Sequence, residues 1–390
     1  MTTRTRSIHQ VIDLATSGDS VTNDALGIQA QLRGSRSPGS EIWALSAPSG
    51  PIGVVMRMAP DIPHGSADDV LIAHVRDPDS PVWAFVASRP ERIILRVHGW
   101  QLPSTRPLKS VGGRKPVPNA NVSACDVVQG FPDTVELHRV APHAVLAVSP
   151  EVASLTDPIR LRPTAVVVPP FFPYDEFATI GRRRLADELV GPRILCIGRL
   201  EPHAEVEQLL TAMHLAATNG LEAALLVVVG RSNNPGYEVA LRELARDLRI
   251  NVFFGGHCSQ PDLLGLMATA TMVASPSRAS GFGVRFVEAM AAGVPVVAYA
   301  SGAVPYTVAD AGILLDPDDD VEVLAEAIVA VSTDRTLRRD LIDRGLVRST
   351  ELTPARSAGL LHQFFVDVLD GNTGDNNGSN TGDNLGGGVS

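Results

Sequence analysis

Ser280-Gly281-Phe282-Gly283-Val284-Arg285-Phe286-Val287-Glu288-Ala289-Met290-Ala291-Ala292-Gly293-Val294-Pro295 is the stretch on which the fold turns. A small-residue loop with two glycines follows an apolar run, Ala270 to Ser275, that reads as a strand, and opens directly into a helix. Glycines at such a junction let backbone approach a ligand closely. The helix behind them offers unpaired N–H groups and the positive end of its dipole. That combination predicts a place to hold phosphate. Glu288 falls about one and a half turns into the helix, near enough to meet a sugar attached to that phosphate.

The same stretch resembles the signature of retaining glycosyltransferase family 4, which has the GT-B fold. The family pattern is Glu-Gly-Phe-Gly, four residues, Glu, then Ala-Met-Ala-x-Gly-x-Pro-Val-Val. Every fixed position is matched except the first, where Ser280 stands. The resemblance extends through Ile197-Gly198-Arg199-Leu200, Val228-Val229-Gly230, Gly255-Gly256, Ala274-Ser275-Pro276-Ser277 and Ala311-Gly312-Ile313-Leu314-Leu315-Asp316-Pro317. In the first half it is thinner: Gly18 and His98 fall where such enzymes carry a glycine-rich loop and an active-site histidine.

Outside the signature, alternation of short apolar runs with helical or Pro/Gly-rich segments points to an α/β chain with parallel, covered sheets. Strands are expected at Ile8–Leu14, Glu41–Leu45, Val70–His74, Arg92–Val97, Ala144–Val148 and Ala165–Val168, with a helix over Asn23–Arg33. A second series begins at Arg193–Ile197 and runs through helices near Val206–Thr218, Tyr237–Leu248, Pro261–Ala268 and Val321–Thr333. The expected organisation is two Rossmann-like doubly wound domains facing across a cleft. Residues 1–170 form the acceptor side, 171–192 a linker and 193–356 the nucleotide-sugar side. A helix over 357–370 crosses back, as in relatives, and 371–390 is a disordered, Asn/Gly-rich tail. Gln101 to Pro118, rich in Pro, Gly and basic residues, reads as a mobile loop.

Composition narrows the function class. A net charge of −10 over 390 residues argues against a nucleic-acid binder, which needs a basic face. The polar N-terminus is not a signal peptide, and no apolar run approaches the roughly 20 residues of a spanning helix. The expectation is a cytoplasmic protein, at most peripheral to a membrane. Cys125, Cys196 and Cys258 are scattered and lack metal spacing. No Gly-x-Gly-x-x-Gly follows the first strand, which disfavours a dinucleotide oxidoreductase.

The resemblance implies transfer of a sugar from a nucleotide-diphospho-sugar to an acceptor hydroxyl, with retention of anomeric configuration and no cofactor or obligatory metal. It assigns Gly198, Arg199, Gly230, Gly281, Phe282, Gly283 and Glu288 to the donor nucleotide, with Gly18 in a loop closing over the diphosphate and His98 facing the reacting sugar. Glu288 would accept both ribose hydroxyls. Its alternative role is to complement the helix dipole. For Arg199 the alternative is pairing with Glu201 or Glu205, and for Ser20 or Thr22 it is helix capping. The family also carries a lysine five residues after the arginine, in Gly-Arg-Leu-x-x-x-Lys-Gly. Ala204 and Glu205 stand there instead, so Arg285, Arg231 and His203 are candidate replacements, and Ser280 is left with one hydrogen bond to a sugar hydroxyl. Losing a transition-state donor costs roughly 10²–10³ in rate. Hence a second expectation: a degenerate family member that binds nucleotide, as a scaffold subunit, without turnover. The acceptor (lipid, polysaccharide or secondary metabolite) is left open.

Overall fold

The computed structural model describes residues 7–16, 19–35, 37, 39–49, 57–58, 65–76, 80–99, 140–154, 165–181, 191–232, 234–277 and 281–369. The expected mobile loop at 101–118, the tail at 371–390, Gly18 and Ser280 lie outside the described residues.

Strands β1 (Ile8–Thr16), β2 (Ile42–Ser49), β3 (Arg57–Met58), β4 (Val70–Val75), β5 (Arg92–Val97), β6 (Ala144–Ala147) and β7 (Val166–Val167) form one sheet, ordered β3-β2-β1-β4-β5-β6-β7. Strands β8 (Arg193–Ile197), β9 (Leu225–Val229), β10 (Val252–Gly256), β11 (Met272–Ser275), β12 (Val296–Tyr299) and β13 (Ile313–Leu315) form the other, ordered β10-β9-β8-β11-β12-β13. Every pairing is parallel. Both sheets are doubly wound, and the direction of winding reverses between β1 and β4 in one and between β8 and β11 in the other. Ligands of such sheets bind beyond the strand C-termini at that reversal.

Strands buried on both faces need unbroken apolar runs, and β4, buried along its whole length, shows why alternation is absent. It still carries His74 in its interior, as β5 carries Arg96. The helices cover both faces. Val206–Thr218 and Val321–Thr333 pack together over the second sheet, where Leu209, Leu210, Leu324 and Ile328 are buried with Ile194 and Met272. The last helix, Pro354–Leu369, leaves the second domain and places Leu361, Phe364 and Phe365 against Ile8, Val70, Ile72 and Ile94 of the first.

Several boundaries differ from the sequence reading. The first helix begins at Ser20, ahead of Asn23, because the Asp19 carboxylate accepts the N–H groups of Val21 (3.1 Å) and Thr22 (3.3 Å) and caps it. A strand is expected from the sequence over Val294–Ala298, but β12 starts at Val296 because Gly293 and Val294 donate to Met290 (3.0 Å) and Ala289 (2.8 Å), closing the preceding helix. Residues 171–181, expected as linker, are packed: Phe171 and Phe172 are buried, and the helix Tyr174–Gly181 seats Phe177 in the core. Residues 182–190 lie outside the described residues. Helices Val82–Ala87, Pro150–Ser154, Val304–Val308 and Arg335–Thr350 are additional to those expected.

Candidate active site in the interdomain cleft

The C-terminal ends of β1, β4 and β5 face those of β8, β9 and β11 across a cavity of ≈ 380 Å³. Small-molecule sites have volumes of roughly 300–1,000 Å³. From the second sheet, Gly198 and Arg199 follow β8, Gly230 and Arg231 follow β9, and Ser277 follows β11. These strand ends are locked together: Gly198 donates to Val229 (3.0 Å), Leu200 to Arg231 (2.9 Å) and Gly230 to Gly256 (2.7 Å). Gly230 has φ +153°, and a Cβ there would stand 1.5 Å from the Gly198 carbonyl oxygen. Only glycine lets the two strand ends close on one another.

The turn Pro202–Ala204 lines the same wall, and Ser277 Oγ donates to the His203 carbonyl (3.1 Å), tying that turn to the end of β11. The next residue, Glu205, takes a left-handed conformation with φ 51°. The family pattern has glycine at this position, and the backbone geometry supplies the reason. The pattern's lysine position, Ala204, is part of the cavity wall and brings no charge to it.

Gly281, Phe282, Gly283 and Arg285 complete the wall at the start of the helix Val284–Ala291. Thr307 Oγ1 donates to the Phe282 carbonyl (2.5 Å) and pins this loop from behind. Arg285 pairs with Glu288 at 2.6 Å. Glu288 is fully buried behind Arg285, and burial pushes its carboxyl pKa above the usual range despite the guanidinium. One carboxylate oxygen, Oε1, has no hydrogen-bond partner. Cys196 and Cys258 also line the cavity as neutral thiols, burial raising Cys196 to about 12.

The first domain contributes His98, Gly99, Asp19, Ser20 and Arg76. Asp19 caps its helix and stands 3.6 Å from Arg76, so capping falls to Asp19, while Thr22 Oγ1 accepts the Thr16 N–H (3.1 Å). The two domains touch at the motif itself. A Cβ on Gly281 would lie 2.8 Å from the His98 carbonyl oxygen, and one on Gly99 would lie 3.3 Å from the Gly281 Cα.

Behind His98 lies a buried polar network. Arg96 donates to both carboxylate oxygens of Asp24 (2.8 and 3.2 Å) and to the Val168 carbonyl (2.7 Å), and Asp24 also accepts the Phe171 N–H (2.8 Å). His74 Nδ1 is 3.0 Å from His98 Nε2, and His74 Nε2 is 2.9 Å from Gln10 Oε1. Burial raises the Asp24 carboxyl pKa, but Arg96 and the two histidines outweigh it and hold the group below its ordinary value. Burial, helped by Arg96, lowers His74 to about 4 and takes His98 well below the usual imidazole range, although Asp24 opposes both shifts. Both rings are therefore neutral at pH 7.

Of the residues singled out in the sequence, His98, Gly198, Arg199, Gly230, Gly281, Phe282, Gly283 and Arg285 meet on one cavity, together with His203 and Arg231. Arg76, Asp24, His74 and Gln10 were not singled out. Arg76 stands just past a strand end, as His98 does, which is a usable signal. A charge inside an apolar run, as in Ile94-Leu95-Arg96-Val97, marks a buried partner but does not say where it lies.

The family model for glycosyl transferases group 1 matches residues 182–347, the segment that builds the second wall of the cleft. Residues 182–347 belong to the glycosyl transferases group 1 family. A GDP-mannose-dependent monoacylated alpha-(1-6)-phosphatidylinositol monomannoside mannosyltransferase of Corynebacterium glutamicum is 34% identical over 172 residues, 42% of this chain and 44% of the relative. A D-inositol 3-phosphate glycosyltransferase of Corynebacterium aurimucosum is 25% identical over 258 residues, 65% of this chain and 58% of the relative. The chain thus spans less than two thirds of the length of these curated relatives. Among solved structures, Anabaena HepE in complex with UDP and glucose superimposes with a TM-score of 0.67 at 16% identity, covering 93% of this chain and 100% of that one. Sucrose-phosphate synthase from Thermosynechococcus elongatus gives 0.65 at 18%, covering 94% and 99%. The fold is GT-B, and the group 1 segment is its C-terminal, motif-bearing half.

Proposed function

We propose that this chain is a glycosyltransferase that moves a sugar from a nucleotide-diphospho-sugar to an acceptor hydroxyl with retention of configuration. The observation that carries the reading is one cavity wall on which Arg199, Arg231, His203 and Arg285 converge around Gly281–Gly283, opposite His98 on the other domain. In the reaction the C1–O bond to the diphosphate breaks, a C1–O bond to the acceptor oxygen forms, and the acceptor's hydroxyl proton passes to the departing diphosphate, on which negative charge builds. Fixed cations at the strand ends and the helix N-terminus are placed to stabilise that charge. Glu288, which the resemblance assigns to the ribose, does not line the cavity: it is fully buried behind Arg285, so a ribose hydroxyl reaches its unpartnered oxygen only when that guanidinium moves aside. The reaction as proposed needs no metal, so EDTA leaves it unchanged.

GDP-mannose is the first donor to test, because relatives carry it in their names. A lipid-linked or sugar acceptor, met at a membrane surface from the cytoplasm, belongs to the same proposal. Among the described residues no helix is long and apolar enough to cross a membrane.

Ala204 on the cavity wall favours a second reading, a nucleotide-binding scaffold without turnover. Thermal shifts and donor hydrolysis with a panel of nucleotide-sugars separate the two. Hydrolysis or transfer supports the enzyme. Stabilisation without either supports the scaffold, and no stabilisation by any nucleotide refutes both. Arg199→Ala should weaken nucleotide binding by roughly tenfold or more, the loss of a charge-assisted hydrogen bond. Unchanged affinity would place the donor elsewhere.

A further inference from the structure

The orientation of one side-chain amide determines how His98 can meet a ligand. Gln10, inside β1, donates from Nε2 to the Ala25 carbonyl at 2.9 Å. A carbonyl only accepts, so the amide cannot be turned the other way, and Gln10 Oε1 faces His74 Nε2. That oxygen also only accepts, so His74 must carry its proton on Nε2. A neutral imidazole has one N–H, and His74 Nδ1 is left as an acceptor for the N–H on His98 Nε2, 3.0 Å away. The remaining His98 nitrogen, Nδ1, then bears a lone pair. It makes no hydrogen bond among the described residues, and His98 lines the cleft.

We propose that Gln10 and His74 are positioning residues that hold His98 as the neutral Nε2–H tautomer, so that it offers the cleft a hydrogen-bond acceptor at Nδ1. The matching ligand group is a hydroxyl donating its hydrogen, which deepens, and rests on, the reading of the cleft as a sugar-donor site. The surrounding charges hold the state in place. Asp24, on the helix Ser20–Ser35, lies 3.6 Å from His98 Nε2 and 3.9 Å from His74 Nδ1, favouring a proton between the rings. Arg96 on β5 and Arg76 beyond β4 disfavour any further proton on His98. Asp24, His74 and His98 also have the composition of a cation site. Arg96 already occupies both oxygens of Asp24, and the two histidines are joined by a hydrogen bond, so a proton network accounts for the cluster.

Long-range proton–nitrogen correlation spectra of the full chain labelled with ¹⁵N-histidine test this without any ligand, His98→Gln supplying the assignment. At pH 7, His98 and His74 should both show a protonated Nε2 and a bare Nδ1. A wild-type spectrum with the proton on His98 Nδ1 overturns the proposal. Gln10→Met removes the acceptor for His74, and His98 should then show a mixture of tautomers; Gln10→Glu, which keeps an acceptor there, should retain the single one. A folded Gln10→Met protein with an unmixed Nε2–H state also overturns it. In transfer assays Gln10→Met should lose about tenfold, the worth of one hydrogen bond, while affinity for the nucleoside diphosphate alone stays within about twofold. Equal losses in both would reduce Gln10 to a structural role. Failure of every nucleotide to bind would refute the sugar-donor reading and leave the tautomer assignment standing.

Discussion

His74 sits inside β4 with its ring between Gln10 and His98, and its burial sets an acid limit on the fold. Its pKa falls from 6.5 to about 4 on folding, chiefly through desolvation. Between those values the unfolded chain binds the extra proton and the folded chain does not, so stability rises with pH across that window. The contribution is fully present above 6.5 and is lost as pH drops toward about 4, to an extent on the order of 3 kcal/mol. His98, shifted in the same direction, adds to the loss. Asp24 acts at lower pH, since its depressed carboxyl keeps its contribution until the pH falls below its ordinary 3.8. Urea midpoints at pH 7, 5.5 and 4.5 should fall steadily. A flat profile would mean that the histidines are solvated in the folded protein.

The turn Pro202–Ala204, leading into the helix Val206–Thr218, is the element where this chain departs furthest from the pattern it resembles. Ala204 leaves a charge off the cavity wall, and Glu205 holds a left-handed conformation without being glycine. Ala204→Lys should therefore add a cation to the proposed diphosphate site and tighten nucleoside-diphosphate binding by about 1.5–3 kcal/mol. Isothermal titration reads this directly, and no gain would mean that the turn does not face the phosphates. The strand positions were readable because β4, β5, β8 and β9 are largely apolar runs, and the motif loop because its glycines fall at the spacing of the pattern it resembles. Other elements gave weaker signals. Helix Arg335–Thr350 buries only Leu341, Gly345 and Ser349 along its length, too few for a periodic stripe. Val82–Ala87 and Val304–Val308 are shorter than two turns and apolar, which periodicity cannot tell from strands. The His98 network escaped for another reason: Gln10, Asp24, His74 and Arg96 meet only because β1, β4 and β5 lie side by side, and pairing partners are not written in any one strand.

Among the described residues the halves meet at several places, and two of them have different consequences. Helix Pro354–Leu369 seats Leu361, Phe364 and Phe365 in the first domain's core, against Ile8 of β1 and Ile72 of β4. The second place is the backbone contact between Gly281 and His98–Gly99, at the centre of the cleft. It brings the motif loop and the proposed sugar-facing histidine to one point, so the Gly281 side of the motif serves closure as well as ligand approach. A methyl group on Gly281 would sit 2.8 Å from the His98 carbonyl oxygen, closer than a carbon contact allows. Neither partner is the tip of a flexible side chain, so one backbone or the other must give way. The two backbones belong to different domains, and separating them is the cheapest relief. Gly281→Ala should therefore leave the donor wall intact and hold nucleoside-diphosphate affinity within about threefold. It should also lower transfer by about 10²-fold, the penalty for roughly 1 Å of misplacement between reacting groups. Small-angle scattering should show a larger radius of gyration with nucleotide-sugar bound than in the wild type. Unchanged transfer with an unchanged radius would mean that the reacting arrangement does not use this contact.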